Sequence, residues 1–508
     1  MSADLLLGID SGTSVVKSVV FDLTGVEVAV ARRETPVLNP QPGWSEVDMQ
    51  ALWQAAAETI REVVQTVGPE RIAAVGISGT ACGVWPLDAA GRPVRNAILW
   101  NDGRAAEIIS GWQADGTYSR IFQVSGNAPF PGYPLSTLRW LHLHEPEALQ
   151  QTRWLLFHKD WLRYNLTGDI HTDESDVSYF PGDIRTRGHS ADLLALAGLE
   201  AYREKLAPLI RSEAVAGQVT REASKLTGLR AGTPVVAGAV DVVASALGGG
   251  THRTGQACAI LGTSFLNSLV TAEPAFVPVE SGVQAVMPGG GWLRSVVNTS
   301  GTINIDWLVD QLAGEERAAA EAAGDNVYDR IEAAIAPVPP GSNGIVYLPY
   351  LNTAGIVSPF ADANARGMFF GLSTTTQRTD LMRAVYEGTA LAMRDCFDAI
   401  GQPVEEVVLV GGGARSAFWS QMFADATDRR ILVTEGTEFG ARGAAILAGV
   451  GTGVFASFAD AIAQTVRPAH VYTPQPAVAR VYATIFPLYQ HLYRTAREGW
   501  ALRKQVYG

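Results

Sequence analysis

The sequence predicts an α/β chain of two domains with related architecture and a cleft between them. Three observations lead there. The 508 residues exceed what one hydrophobic core organises, and with 47% apolar against 18% charged residues they have large interiors to bury. Short β-branched runs alternate with stretches of helical periodicity, the pattern of strands covered by helices. A strand–glycine turn–strand unit opens the chain at Leu5 and recurs from Gln256, dividing it into two similar halves.

Composition narrows the function classes. A formal charge of −12 argues against a nucleic-acid partner, whose binding proteins carry a basic field. Cys82, Cys258 and Cys396 are far apart, odd in number and without a CxxC pair, which fits a reducing compartment and argues against zinc or disulfides. The opening MSADLLLGIDSG lacks the charged start and apolar run of a signal peptide, and no run of about 18 uncharged apolar residues occurs. A soluble, cytoplasmic protein without a membrane partner is expected.

Taken in order, Leu5–Asp10 and Val15–Asp22 are strands joined by a turn whose backbone N–H groups are exposed. The turn carries Gly12, Thr13 and Ser14, with Asp10 before it and Lys17 after it. Lys17 is either a partner for an anion or a strand-edge charge. Ser45 with Asp48 suggests a loose capping box, and Leu52, Ala56, Ile60, Val63 and Val67 follow at helical spacing. Further strands are predicted at Ile72–Ile77, ending in SGTACG, and at Ala97–Trp100, ending in WNDGR. Polar residues at strand ends in an alternating chain are where ligands sit. Trp100, Asn101, Asp102 and Arg104 therefore suit a polyhydroxy ligand, a ring face beside directed hydrogen bonds; a packed Trp with a capping Asn is the alternative. From about 110 to 215 the chain is helical and less regular. His158, Lys159, Asp160, Asp173 and Asp176 form a polar set there without metal-ligand spacing, expected at the surface or at helix caps.

The stretch Gly232–Gly250 (GTPVVAGAVDVVASALGGG) is small and apolar apart from Asp241. Its strand leads into a helix that Asp241 opens, and a carboxylate in such surroundings is costly unless something compensates it. Asp241 is thus a helix cap or a functional acid. Strands Gln256–Leu261 and Phe265–Thr271 flank the turn Gly262–Thr263–Ser264. Strand Glu406–Val410 runs into Gly411, Gly412, Gly413 and Ala414, where a backbone can approach a flat or charged ligand at the amino end of a helix from Ser416. A bare turn also uses glycine. Glu435–Gly449 reads as a loop and a closely packing small-residue helix, and the tail as a docking helix interrupted at Pro487.

This order of motifs resembles the FGGY family of carbohydrate kinases over essentially the whole chain. GMFFGLSTTTQRTDLMRAVYE, Gly367–Glu387, fits the family's second signature; IDSGTSVVK and ILGTS fit its two phosphate motifs, VLVGGGARSAFW its adenosine motif, PVVAGAVDVVASALG its catalytic-aspartate segment and ILWNDGR a sugar-proximal segment. The resemblance implies two actin-like (ribonuclease H-like) ATPase domains: 1–248, with the sugar site and first phosphate hairpin, and 249–508, with the nucleotide site and terminal docking helix. It implies ATP and Mg²⁺ as cofactors and Asp241 as the base. Gly12, Thr13, Ser14 and Lys17 would face the phosphates with Gly262, Thr263 and Ser264, and Gly411, Gly412, Gly413 and Ala414 would seat the adenosine. Ala81, Cys82, Trp100, Asn101, Asp102 and Asp241 would line the sugar, and Asp10 with Asp241 would hold the metal.

Departures bear on the sugar. Xylulokinase-like members read GQMHG where Gly79–Gly83 reads GTACG, and Asn where Val242 stands; Thr137 replaces a lysine of the first signature. The expected activity is ATP-dependent phosphorylation of a xylulose-type ketopentose, with erythritol or L-xylulose/3-keto-L-gulonate as alternatives. An actin-like ATPase without sugar kinase activity is the alternative of another class, and a homodimer is left open.

Overall fold

A computed structural model describes residues 3–507. The amino-terminal half is built on strands β1 (Leu5–Ser11), β2 (Val15–Asp22), β3 (Glu27–Glu34), β4 (Ile72–Gly79), β5 (Val215–Gln218), β6 (Pro234–Val236) and β7 (Ala239–Val240). They form one sheet in the order β5-β6-β4-β1-β2-β3, with β7 also on β4. The carboxy-terminal half has β8 (Gln256–Leu261), β9 (Phe265–Thr271), β10 (Val283–Val286), β11 (Trp292–Asn298), β12 (Glu406–Val410), β13 (Arg430–Thr434) and β14 (Pro468–Tyr472), in the order β10-β11-β9-β8-β12-β13-β14. Each sheet has the same heart. An antiparallel hairpin (β1-β2, β8-β9) is extended on one side by a further antiparallel strand and on the other by parallel strands. The repeat expected from the two glycine hairpins is therefore present in the pairing itself.

Four helices matter for the site: α1 (Met49–Val67), α2 (Asp241–Gly249), α3 (Phe439–Gly451) and α4 (Pro476–Tyr507). The apolar stripe of α1, with Leu52, Ala56, Ile60 and Val63, is buried under the first sheet. Its cap is Asp48 alone, accepting from Gln50 N and Ala51 N at 2.8 and 3.0 Å. Ser45 is not part of a capping box; its amide donates to Asp102 Oδ2 at 2.6 Å. The tail helix buries Tyr482, Phe486, Tyr489 and Leu492 in the second core, as a docking helix should. Pro487 does not interrupt it: α4 runs through that proline, whose ring is on the solvent side. The strand expected at Ala97–Trp100 is shorter, Ala97–Ile98, and Trp100 stands in a turn.

The halves join at a seam of small residues where α3 lies on α2, β1 and β4. A Cβ on Gly8 or Gly76 would fall on the carbonyl of Ala441 or Ala444 in α3. Glycine at those two strand positions is what lets a helix of the second half rest directly on the first sheet. Among the described residues no helix is long and apolar enough to cross a membrane.

Candidate active site

The parallel pairing of β1, β4 and β7 brings three strand ends to one sheet edge. Asp10 is opposite Ser78, and Val240 opposite Gly79, so Asp10 and Asp241 arrive side by side from segments 231 residues apart in sequence. Ligands bind at this carboxyl edge in open α/β sheets. Asp241 is the first residue of α2 and not its cap; its Oδ1 accepts from Val242 N at 2.8 Å. Burial pushes its carboxyl up to about 7, with the charge of Asp10 as the second cause. The ordinary carboxylate range does not hold for this residue. Asp10 is likewise raised, by burial first, against the opposing pull of Lys17 and of Ser78.

The first glycine turn is closed by Gly12 N donating to Val15 O at 2.9 Å. Trp100, 45% exposed, donates its indole N–H to Thr13 Oγ1 at 2.9 Å, so the WNDGR segment and the turn are one unit. Lys17 Nζ does not stand free: it is 2.8 Å from Glu438 Oε2, across the seam. On the second sheet, Gly301 N and Thr302 N donate to the carbonyls of Thr263 and Gly262 at 2.8 and 2.9 Å. This holds the turn Gly262–Ser264 against the loop ahead of the helix Ile303–Gln311, a partner the sequence reading missed. Parallel β8 and β12 set that turn beside Gly411–Ala414. Gly411, at φ +95°, is needed for the turn itself, whereas a Cβ on Gly412 would meet nothing within 4 Å. The space at Gly412 is open.

On the other side of Asp241 the segment Thr80–Gly83 turns sharply. Cys82 takes φ +70°, a conformation that L residues avoid and that marks functional turns when surrounding structure enforces it. His158 stands at the start of that turn. Its ring accepts or donates to Ser11 Oγ at 2.8 Å and Thr80 Oγ1 at 2.7 Å, and stacks on Trp85 at 4.6 Å. Burial lowers its pKa to about 3, so the ring is neutral and bridges the ends of β1 and β4.

The polar set around it is not on the surface. His158, Lys159, Asp160, Asp173 and Asp176 are all buried. Lys159 Nζ lies 2.8 Å from a carboxylate oxygen of each of the three aspartates, and Arg163 adds a contact to Asp160 at 3.2 Å. Only Asp173 is also a cap, accepting from Ser175 N and Asp176 N. Burial, together with Asp160 and Asp173, drives the Asp176 carboxyl well up despite Lys159. Periodicity could not reveal this cluster, because each charge looks like a surface residue until its partner is known.

Of the residues expected to line the sugar, Ala81 and Cys82 stand by Asp241 in the strained turn, and Trp100 stands at the Gly12–Ser14 turn. Asn101 is exposed in the next position. Asp102 is corrected. Its Oδ1 accepts from Arg104 N and Nε, and its Oδ2 from Ser45 N and Arg104 Nη2, which fills all four acceptor sites. It clamps a loop and has no oxygen left for a ligand. Two residues unseen in the sequence join instead. The Tyr133 hydroxyl is buried beside Ser125 and Asn127, with no hydrogen bond of good geometry among the described residues, and burial drives the Tyr179 hydroxyl well up, with Cys82 and Asp241 adding to it. Tyr133 closes the Gly126–Pro134 turn, the one sign that the chain returns to the site there.

Residues 5–248 match the N-terminal domain of the FGGY family of carbohydrate kinases, and residues 257–452 its C-terminal domain. The chain is 32% identical over 497 residues to the L-xylulose/3-keto-L-gulonate kinase of Escherichia coli (strain K12), spanning 96% of each. It is 31% identical to the erythritol kinase of Brucella abortus (strain 2308), over 97% of this chain and 95% of that one. The crystal structure of xylulose kinase from Rhodospirillum rubrum is similar with a TM-score of 0.88 at 29% identity, over 98% of this chain and 100% of the other.

Proposed function

We infer that this chain, which belongs to the FGGY family of carbohydrate kinases, moves the terminal phosphate of ATP onto a hydroxyl of a small uncharged ketose, with Asp241 as the base. Family membership sets aside the alternative of an actin-like ATPase without a sugar. The observation that carries the reading is the meeting of Asp10, Thr13 and Asp241 at one sheet edge, with Trp100 bonded to Thr13 and a neutral wall of Cys82, Tyr133 and Tyr179 alongside.

Phosphoryl transfer to an alcohol needs positioning, neutralisation of phosphate charge and an acceptor for the hydroxyl proton. Asp241 takes that proton as the hydroxyl oxygen forms its bond to phosphorus and the bond to the ADP oxygen breaks. The amides of Gly12–Ser14 and Gly262–Ser264 hold the phosphates, and Gly411–Ala414 admits the adenosine. Asp10 and Asp241 fit a hard divalent cation: both are carboxylates, and Asp10 raises the pKa of Asp241, which marks a pair short of positive charge. Mg²⁺ held there would neutralise phosphate oxygens when bound. We divide the domains at 248/249 and place the protein in the cytoplasm, where its three free, buried thiols would stay reduced.

The acceptor class follows from charge. Burial raises the Cys82 thiol and the Tyr179 hydroxyl, with the neighbouring carboxylates Asp176 and Asp241 adding to it, and Lys159 is ion-paired with three carboxylates. A sugar acid would bring its own carboxylate against Asp241, whose carboxyl burial and the charge of Asp10 already push up. A xylulose-type ketopentose is therefore the reading, ahead of 3-keto-L-gulonate. Erythritol or L-xylulose is the second reading, favoured by Ala81 and Val242, which remove polar partners. Sugar-stimulated ADP release across D-xylulose, L-xylulose, erythritol, glycerol and 3-keto-L-gulonate tests this. Preference for the acid or for glycerol would overturn it.

A further inference from the structure

We propose that Glu438 is a positioning residue of phosphoryl transfer: standing on the second domain, it holds Lys17 of the first phosphate hairpin away from Asp10. The inference rests on the kinase reading and concerns a residue to which no role has yet been given. Lys17 and Asp10 are directly opposed in the β1–β2 ladder, which places their side chains on one face and within reach of each other. Left alone, the ammonium would pair with Asp10 and occupy the carboxylate that the metal needs. It does not. Lys17 Nζ is 2.8 Å from Glu438 Oε2, and Arg32 Nη2 is 2.8 Å from Glu438 Oε1. The Glu438 side chain is only 5% exposed, against 31% for Lys17 and 60% for Arg32, so the carboxylate is the fixed member of the trio.

Its anchorage explains why. Glu438 is the residue ahead of α3, and its amide and that of Thr437 donate to Glu27 Oε1 of β3 at 3.2 and 2.9 Å. Two residues on, a Cβ at Gly440 would stand 2.6 Å from Asp10 Oδ2. The first turn of α3 therefore reaches both the metal carboxylate and the lysine opposite it. One element of the second domain sets the separation of two charges in the first. An ammonium has three donors, so Lys17 keeps its bond to Glu438 and still offers the others to a phosphate oxygen.

The test is the Mg²⁺ concentration that gives half-maximal ADP binding, read by calorimetry on the full chain and independent of any sugar. Glu438→Gln keeps size and an acceptor for Arg32 but gives up the charge that attracts Lys17. The expected result is a rise of about fivefold or more in the Mg²⁺ requirement, a coupling typical of contacting charged groups. In a Lys17→Met background the same change should move the requirement by less than about twofold, because no ammonium is left to capture Asp10. Arg32→Gln should leave it unaltered, and thermal unfolding of each variant reports folding. Equal effects of Glu438→Gln in both backgrounds, or a lower melting temperature with an unmoved Mg²⁺ requirement, would make Glu438 a structural staple and overturn the proposal. Absence of any Mg²⁺-dependent ADP binding by the unaltered protein would instead overturn the kinase reading, and this inference with it.

Discussion

Asp241→Asn separates chemistry from stability at one position, and the structure gives the sign of each. The substitution keeps shape and removes both the charge and the proton acceptor. Turnover should fall by about two to four orders of magnitude, the range for losing general base catalysis. Stability should move the other way. An unfolded aspartate titrates near its ordinary 3.8, whereas burial and Asp10 put the folded carboxyl at about 7. Between those values the folded protein binds a proton that the unfolded chain does not, so stability declines as pH rises, and above 7 the full penalty is present. About three pH units at about 1.4 kcal/mol each is ~4 kcal/mol at most, since the site is partly open to solvent.

The Asn variant escapes that penalty. It should be the more stable protein at pH 8 by up to ~4 kcal/mol, with a gain that shrinks through pH 6 and vanishes near pH 4. Sugar-dependent ADP release measures turnover, and denaturant unfolding at pH 4, 6 and 8 measures the gain, with the first domain's transition followed where the two halves unfold separately. A helix cap would behave otherwise, because Asn caps as well as Asp and would leave activity and stability unchanged. Retained turnover would refute the base. A gain independent of pH would refute the buried, anionic neighbourhood assigned to Asp241.

Three further outcomes follow from neighbouring geometry. Gly412→Val should leave folding intact, since a Cβ there meets nothing within 4 Å, yet raise the KM for ATP about tenfold or more with the sugar KM unmoved; equal movement of both would make the glycine segment a bare turn. Tyr133→Phe removes a buried hydroxyl that makes no hydrogen bond of good geometry among the described residues, so melting temperature should hold or rise while the sugar KM rises about tenfold; an unchanged sugar KM would remove Tyr133 from the acceptor wall. Lys159→Met strands the buried carboxylates of Asp173 and Asp176, while Asp160 keeps Arg163, and should cost about 3–5 kcal/mol, partly recovered at lower pH as Asp176 protonates; a neutral effect, read by denaturant unfolding, would mean the cluster is hydrated.

What the sequence made legible is what short segments encode. Both glycine hairpins, the Gly411–Ala414 turn and the helix opened by Asp241 appear where local pattern placed them, because turn geometry and strand alternation are set by adjacent residues. Charge balance is not local. Lys159 needs Asp173 and Asp176 from another segment, and Asp102, taken mostly by Arg104 two residues on, has its last acceptor site filled by Ser45, 57 residues away, so residue type alone put the first on the surface and the second in the site. Pro487 was misjudged for a related reason: packing of Phe486, Tyr489 and Leu492 on the second core outweighs the lost hydrogen bond of one helical position.

The same distinction explains why the site sits where it does. Asp10 and Asp241 repel each other and lie in surroundings that disfavour charge, so no attraction between them could have gathered the site. Strand pairing gathers it: β4 runs parallel to both β1 and β7, and each residue is fixed at or just beyond a strand end by backbone hydrogen bonds. The energy for that arrangement comes from the apolar cores below the sheet, with Ile9, Val16, Val75 and Ile77 fully buried. The cation at hand, Lys17, is tied to Glu438 instead of neutralising the pair. The fold thus assembles two carboxylates against their own electrostatics and leaves their charge unbalanced, which is the condition under which a ligand bringing positive charge with its phosphates gains most by binding at that edge.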